Sequence, residues 1–197
     1  MKEYNIINVI SLEHREDRVE RFHQQALEQK CGYRIWPGII INHNNKKAIN
    51  LAHKAIVQYA KDNNIEAITI AEDDCRFMAP GAWKYYLENF PQQYDIFFSM
   101  YYVADSIEGN RITGKFSGMT MYTVHNSFYD TFLSLPDDCH IDREMLGSVA
   151  HKYKFIFCDM VIAEQDGCGK SDNTNTTPSS YRPFLKGRKI FGGLIID

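Results

Sequence analysis

Three consecutive acids, Glu72, Asp73 and Asp74, follow the largely apolar segment 65–71, which has the composition of a buried strand. Crowded carboxylates repel one another, and burying a charge is costly unless the charge is paired or bound to a metal. A divalent cation that takes oxygen ligands and bridges to phosphate groups would account for the three acids together. The alternative is structural, because acids also follow strands as turn formers, and Asp74 can cap a short turn before Pro80.

The elements predicted around these acids place them at one edge of a sheet. In the first 74 residues we predict strands at 4–12, 34–37 and 65–71, a helix that carries Val19, Phe22 and Ala26, and a longer helix over 46–63. This alternation predicts an α/β fold with a largely parallel sheet, in which ligands bind beyond the carboxyl ends of the strands. The loop 13–18, which carries Arg15 and Arg18, follows the first strand and is therefore expected to converge with the acids.

The second half of the chain has a more mixed pattern. Helices are predicted at 83–90, 128–135 and 141–153, strands at 95–100, 116–124 and 155–162, and a turn-rich excursion at 105–115. Residues 166–180 are rich in Gly, Ser, Thr and Asn, which predicts a mobile loop able to act as a lid. No repeat or linker divides the chain, so we expect a single domain over 1–197.

The composition predicts a soluble globular protein. Of the 197 residues 44% are hydrophobic and 24% are charged, and the net charge of −3 provides no basic field for nucleic acid, which we do not expect as a partner. Five scattered cysteines favour reduced thiols, and no signal-like or membrane-spanning stretch is evident, so we expect a cytoplasmic location. The basic cluster 186–189 before the apolar tail 190–196 allows peripheral contact with the inner face of a membrane.

Several segments, taken in order, resemble glycosyltransferase family 25, the lipooligosaccharide galactosyltransferase-like group. The similar segments are Val9–Leu12 followed by Arg15 and Arg18, Ala52–His53, Ile70–Asp74, Ser117–Tyr122, Ile141–Asp142, and Ala163–Gln165 with Ser171 and Asp172. The likeness spans residues 4–172. Two positions depart from the family pattern, because Ser11 stands where Asn is usual and Ala52 where Ser is usual, so residue roles carry over less directly there.

This resemblance implies a GT-A-like, Rossmann-type fold and a hexosyltransferase activity. The implied donor is a nucleotide sugar, a UDP-sugar, and the implied acceptor is a glycan or glycolipid. Galactose is the implied hexose, lipopolysaccharide biosynthesis the implied setting, and inversion at the sugar carbon the implied outcome. The implied cofactor is a divalent metal, Mn²⁺ or Mg²⁺. Residues 1–100 would form the nucleotide-sugar-binding half and 101–197 the acceptor-binding half, while the oligomeric state is not predicted.

Ten residues are candidates for the site. The resemblance implies that Asp74, the last acid of the motif, is the first metal ligand, with Asp73 next as a ligand or as a group that contacts one. Because side chains alternate along an extended chain, Glu72 and Asp74 point the same way and are the predicted pair of metal ligands, whereas Asp73 points the other way. The predicted donor-binding residues are Ser11, Arg15, Arg18, His53, Asp73 and Gln165, and the predicted catalytic residues are Asp142 and Glu164. The family pattern places an acid at Asp142, which is expected to be the general base or an acceptor-binding group. Arginine suits phosphate or a uracil edge, and a positioned carboxylate suits removal of the proton from an acceptor hydroxyl.

Several candidates also have a structural interpretation. Arg18 can pair with Glu16 or Asp17 at a solvated helix start. His53 can be a satisfied core histidine, and Asp142 can stabilise the first turn of a helix. Two other functions stay open: a non-catalytic nucleotide- or sugar-binding module, and another metal-dependent phosphate-handling enzyme such as a nucleotidyltransferase. The second needs a glycine-rich phosphate loop or a second pair of acids, and neither is evident.

Overall fold

The computed structural model describes residues 5–166 and 182–193, and its framework is an eight-stranded sheet. The strands are β1 (Ile6–Ser11), β2 (Gly32–Pro37), β3 (Ala67–Glu72), β4 (Cys75–Phe77), β5 (Ile96–Phe98), β6 (Val103–Ala104), β7 (Ile107–Glu108), β8 (Arg111–Ile112), β9 (Phe116–Ser117), β10 (Met121–His125), β11 (Phe155–Phe157) and β12 (Ala163–Gln165). The α-helices are α1 (Glu16–Gln29), α2 (Asn45–Asp62), α3 (Ala82–Glu88) and α4 (Tyr129–Ser134). Short 3₁₀ segments lie at Asn126–Phe128, Ala150–Lys152 and Arg182–Leu185, and a π-helix spans Ile141–Leu146.

The strands of the main sheet lie in the order β2-β1-β3-β10-β5-β11-β8-β7. Strand β1 is parallel to β2 and β3, and β5 is parallel to β11. Strand β10 lies antiparallel between β3 and β5, so these five parallel strands share one direction. The predicted α/β fold with a largely parallel sheet and flanking helices is confirmed, and the carboxyl ends of β1, β2 and β3 meet at one edge.

Alternation of side chains along the strands builds a core on each face of this sheet. On β3, Ile70 packs in the cluster that contains Ile56 of α2, whereas the next residue, Ala71, packs in the cluster that contains Phe22 of α1. A strand that is covered on both faces needs apolar residues at every position. This explains the nearly continuous apolar run that precedes the acids.

The acidic triplet leaves the sheet at the carboxyl end of β3. Glu72 is the last residue of that strand, and its backbone N–H donates to the carbonyl of Thr120 at 3.0 Å. The N–H of Asp73 donates to the carbonyl of Ile10 at 3.1 Å. The two neighbouring strands therefore hold the backbone of the triplet, and its side chains project from a fixed frame.

Two elements predicted in the second half are divided in the structure. The prediction of one helix over 141–153 was wrong, because the N–H of Gly147 donates to the carbonyl of Asp142, five residues earlier, which makes the first part a π-helix. The strand predicted over 116–124 is divided into β9 and β10. The division falls at Gly118, whose φ of 110° interrupts an extended strand.

Two further segments differ from prediction in detail. The predicted excursion 105–115 contains the antiparallel hairpin of β7 and β8, which turns at Gly109 with a φ of 62°. The strand predicted at 155–162 ends at Phe157. Neither difference moves the carboxyl ends of β1, β2 and β3.

Two expectations concern segments at the boundary of what is described. The predicted lid 166–180, with Ser171 and Asp172, falls almost entirely on residues 167–181, which lie outside the described part of the chain. Within 5–166 and 182–193, no helix has the length and apolar character needed to cross a membrane.

Candidate functional site

A cleft of about 610 Å³ lies beyond the carboxyl ends of β1, β2 and β3. Eight of the ten predicted site residues are among its described lining: Ser11, Arg18, His53, Glu72, Asp73, Asp74, Asp142 and Gln165. They lie on or beside β1, α1, α2, β3, β12 and the π-helix. The fold thus brings residues from distant parts of the sequence to one concave surface.

Asp73 is fixed by two partners from the β1–α1 region. Its Oδ2 accepts a hydrogen bond from Ser11 Oγ at 2.7 Å, and its Oδ1 accepts one from Arg18 Nη1 at 2.8 Å. Only 9% of the Arg18 side chain and 8% of the Asp73 side chain are exposed. Arg18 therefore reaches into the site, where it forms ion pairs with Asp73 and Asp74.

Asp74 faces the same cleft, but its carboxylate has weaker hydrogen-bond and ion-pair partners than that of Asp73. Its Oδ2 accepts from Gln165 Nε2 at 2.8 Å and from Arg18 Nη1 at a longer 3.4 Å. Its Oδ1 is buried and has no hydrogen-bond partner within the described residues. Burial, followed by the charge of Glu72, raises the pKa of Asp74 to about 7.

Glu72 lies beside a buried histidine. His53 Nε2 is 3.9 Å from Glu72 Oε1, and His53 Nδ1 is 2.7 Å from the Tyr122 hydroxyl. Burial raises the pKa of Glu72 to about 7, and the charges of Asp73 and Asp142 add to that shift. Burial lowers the pKa of His53 to about 3, so the imidazole is neutral at pH 7.

Asp142 lies in the first turn of the π-helix, on the same cleft. Its Oδ2 accepts from the N–H of Gly118 at 3.1 Å, and its Oδ1 accepts from the N–H of Arg143 at 2.7 Å. Two backbone amides therefore orient the carboxylate, and its negative charge contributes to the raised pKa of Glu72. Isolated π-turns are frequent at functional sites because they redirect side chains from an otherwise regular helix.

The remaining two predicted residues, Arg15 and Glu164, are not among the described residues that line the cleft. Arg15 Nε lies 2.9 Å from Asp17 Oδ1, and this hydrogen bond lowers the pKa of Asp17 to about 2. Glu164 is 2% exposed and pairs with Arg76 on the adjacent strand β4. The geometry therefore does not support Arg15 as a donor contact or Glu164 as a catalyst.

Sequence reasoning missed Asn45 and Lys46, two polar residues of the cleft. Asn45 and Lys46 line it from the first turn of α2, and Tyr102 lines it from the loop before β6. The hydroxyl of Tyr102 accepts the N–H of Gln165 at 2.9 Å, which fixes the residue that contacts Asp74. The signal for Asn45 and Lys46 was their place at a helix N-terminus, where backbone N–H groups favour anions.

A likeness to solved structures settles the fold class. The fold is shared with a glycosyltransferase. The chain matches a glycosyltransferase involved in the glycosylation of the major capsid of PBCV-1 with a TM-score of 0.52 and 10% identity, covering 84% of this chain and 94% of that one. It also matches A197 from STIV with a TM-score of 0.50 and 12% identity, covering 78% and 80% of the two chains. No protein-family model and no curated protein matches the sequence. At such identities the likeness shows the fold alone.

Glu72 and Asp74 are the residues that could hold a divalent cation. The carboxyl groups of both residues have a raised pKa, and Asp74 Oδ1 is buried with no hydrogen-bond partner in the described residues. No three His, Cys, Asp or Glu side chains of the described residues form a metal-binding group by themselves. Such a pair suits Mg²⁺-like ions, which are commonly held by one or two carboxylates together with substrate phosphates and water.

The raised pKa values predict how stability depends on pH without a divalent cation. The pKa of Asp74 is about 7 in the folded protein and near 3.8 otherwise, so the folded state binds more protons between these values. Stability from this group is therefore complete below about pH 4 and is lost as the pH rises through 7. Because the Asp74 side chain is 10% exposed, removing the charge by Asp74→Asn should stabilise the protein at pH 8 by on the order of 3 kcal/mol.

Urea unfolding of both proteins in EDTA at pH 5 and pH 8 measures this effect. The advantage of the variant should be greatest at pH 8 and less than half as large at pH 5. Parallel pH profiles of the two proteins would contradict the assignment of a raised pKa to Asp74.

Proposed function

We propose that the protein is a metal-dependent glycosyltransferase that moves a hexose from a UDP-sugar to a hydroxyl of a glycan or glycolipid. The observation that carries the proposal is the pair of neighbouring carboxyls with raised pKa, Glu72 and Asp74, on the same cleft as the oriented carboxylate of Asp142. The shared fold and the resemblance to glycosyltransferase family 25 support it. By that resemblance galactose is the proposed hexose and lipopolysaccharide biosynthesis the proposed setting.

The diphosphate leaving group of the donor develops negative charge during transfer, and this charge must be stabilised. A cation held by Glu72 and Asp74, Mn²⁺ or Mg²⁺, would supply neutralisation of the charge that develops on the diphosphate. Arg18 adds a fixed positive charge within 3.4 Å of Asp74. Ser11 and Arg18 lock Asp73, which is then placed to accept from donor hydroxyls, and Gln165 orients Asp74.

The transfer step itself is a single displacement. The oxygen of the acceptor hydroxyl attacks the anomeric carbon, the bond from that carbon to the β-phosphate oxygen breaks, and UDP leaves with the bonding electrons. Asp142 takes the proton of the acceptor hydroxyl, since its carboxylate is oriented by two backbone amides and faces the cleft. Attack from the face opposite the leaving group inverts the anomeric carbon.

A panel of nucleotide sugars with Mn²⁺ tests this function. We expect Mn²⁺-dependent binding of UDP, measured by thermal shift, and release of UDP from one UDP-hexose when glycan or glycolipid acceptors are added. Binding of UDP without any release in the panel would favour the alternative of a non-catalytic nucleotide- or sugar-binding module. Absence of UDP binding with and without Mn²⁺ would overturn the proposal.

Replacing the proposed base should separate catalysis from binding. Asp142→Asn keeps the shape and the acceptor oxygen but cannot take a proton at neutral pH, so kcat is expected to fall about 10²- to 10⁴-fold. The affinity for UDP with Mn²⁺, measured by calorimetry, should stay near that of the parent. The control is Asp105→Asn, because Asp105 is exposed and pairs with the neighbouring Arg143. A kcat for Asp142→Asn equal to that of the control would exclude Asp142 as the base.

A further inference from the structure

A buried polar chain leads from the core of the sheet to Glu72. The Tyr122 hydroxyl lies 2.7 Å from His53 Nδ1, and the two rings stack with their centroids 5.8 Å apart. On the other side of the ring, His53 Nε2 lies 3.9 Å from Glu72 Oε1. Tyr122 is fully buried and His53 is 1% exposed. The imidazole thus links a core hydroxyl on β10 to a carboxylate at the end of β3.

The chemistry of the two neighbours selects one tautomer of His53. The hydroxyl of Tyr122 can donate to Nδ1, whereas an ionised Glu72 carboxylate can only accept. When Glu72 is ionised, as it would be with a cation bound, the hydrogen of a neutral ring lies on Nε2, toward Glu72, and Nδ1 accepts from Tyr122. The opposite tautomer would direct the Nε2 lone pair at a carboxylate.

The distance from Nε2 to Glu72 is longer than a hydrogen bond, but the Glu72 side chain has room to close it. One third of that side chain is exposed in the cleft, whereas His53 is enclosed by the core. A hydrogen bond of about 3 Å therefore requires the Glu72 side chain to turn toward Nε2. The rigid partner in this contact is the histidine, and the adjustable partner is the carboxylate.

We propose that His53 is the positioning residue of Glu72: it donates from Nε2 to the carboxylate, and Tyr122 holds the tautomer that makes this donation available. The proposal rests on the proposed function, in which Glu72 and Asp74 hold the cation. Hydrogen-bonding partners of this kind orient metal-ligating side chains, and their loss typically lowers metal affinity about 10- to 100-fold. His53 then acts through Glu72 and not by direct contact with the donor.

Two substitutions of His53 separate positioning from packing. A glutamine amide reaches about as far as Nε2, so His53→Gln keeps a donor toward Glu72. An asparagine amide reaches about as far as Nδ1, so His53→Asn keeps the contact with Tyr122 and loses the donor. The probe is Mn²⁺ titrated into protein with saturating UDP, with free Mn²⁺ measured by electron paramagnetic resonance. His53→Asn should weaken Mn²⁺ binding about 10- to 100-fold, and His53→Gln by less than about threefold.

The adjacent strand residue provides the matched control. Thr123 is buried on the opposite face of β10, where its hydroxyl contacts Thr69 at 2.8 Å and Tyr86 at 3.0 Å. Thr123→Val therefore removes buried hydrogen bonds without touching the cleft, and Mn²⁺ affinity should not change. Equal Mn²⁺ affinities of the Gln and Asn variants, or an equal loss in Thr123→Val, would overturn the positioning role even though the parent binds Mn²⁺.

The tautomer can also be read without any ligand. In protein labelled with ¹⁵N-histidine, NMR should show the Nε2–H form of His53 in the parent, and Tyr122→Phe should weaken this preference. An Nδ1–H form in the parent would overturn the proposal. If the parent binds no Mn²⁺ in the presence of UDP, the proposed function fails and the positioning role fails with it. If the parent binds Mn²⁺ and the Gln and Asn variants bind it equally well, only the positioning role fails. The two failures are therefore distinguishable.

Discussion

Asp74→Asn is expected to lower the rate of hexose transfer by about 10²- to 10⁴-fold and to remove the effect of Mn²⁺ on UDP binding. The substitution keeps the size of the side chain and its contact with Gln165, but it removes the negative charge that a cation would meet. Calorimetry of UDP binding with and without Mn²⁺ measures the binding effect, and UDP release from the donor measures the rate.

The same substitution should make the cation-free protein more stable at pH 8, which is the opposite of an ordinary damaging change. A buried acid with a pKa near 7 lowers the folding stability of the cation-free protein, and such losses of stability are typical of functional residues. The matched control is Glu88→Gln on α3, because Glu88 is 61% exposed and pairs with Lys84. It should change neither property. A variant at Asp74 that keeps the Mn²⁺ dependence of the parent would exclude Asp74 as a ligand.

The sheet and its functional edge were predictable because local patterns determine them. The apolar run before Glu72 predicted a strand that is buried on both faces, and the structure covers β3 with α1 on one side and α2 on the other. What local patterns could not show is the antiparallel strand β10 between β3 and β5. Its position depends on long-range pairing, which has no signature within the strand itself.

The structure brings most of the predicted site residues to one cleft, but the pairing of their charges was not predicted. Topology alone placed the loop 13–18 and the acidic triplet at one edge of the sheet, and the resemblance supplied His53, Asp142 and Gln165, which line the same cleft. Neither the topology nor the resemblance could predict which charged side chains pair with one another. Arg18 shares the buried face of α1 with Phe22, four residues later, and that spacing is the signal that it points inward. Glu164 is removed from the site by its register with Arg76, a contact between distant strands.

Arg18→Met should destabilise the protein by about 3–5 kcal/mol, because it leaves the carboxylates of Asp73 and Asp74 buried without their cationic partner. The Asp73 side chain is 8% exposed and would keep Ser11 as a hydrogen-bond donor. Urea unfolding at pH 7 measures the loss. Adding Asp73→Asn to the same protein should recover part of it, since an asparagine oxygen still accepts from Ser11 and no longer carries a charge.

The control lies on the same helix and has the same chemistry at the surface. Arg21 pairs with Asp17 at 3.1 Å, with 44% and 55% of the two side chains exposed, so Arg21→Met should cost less than about 1 kcal/mol. If Arg18→Met and Arg21→Met cost the same, the carboxylates of the triplet do not depend on Arg18. A larger loss of stability in Arg18→Met than in Arg21→Met would instead mean that Arg18 stabilises the three adjacent acids at the end of a buried strand before any donor is bound.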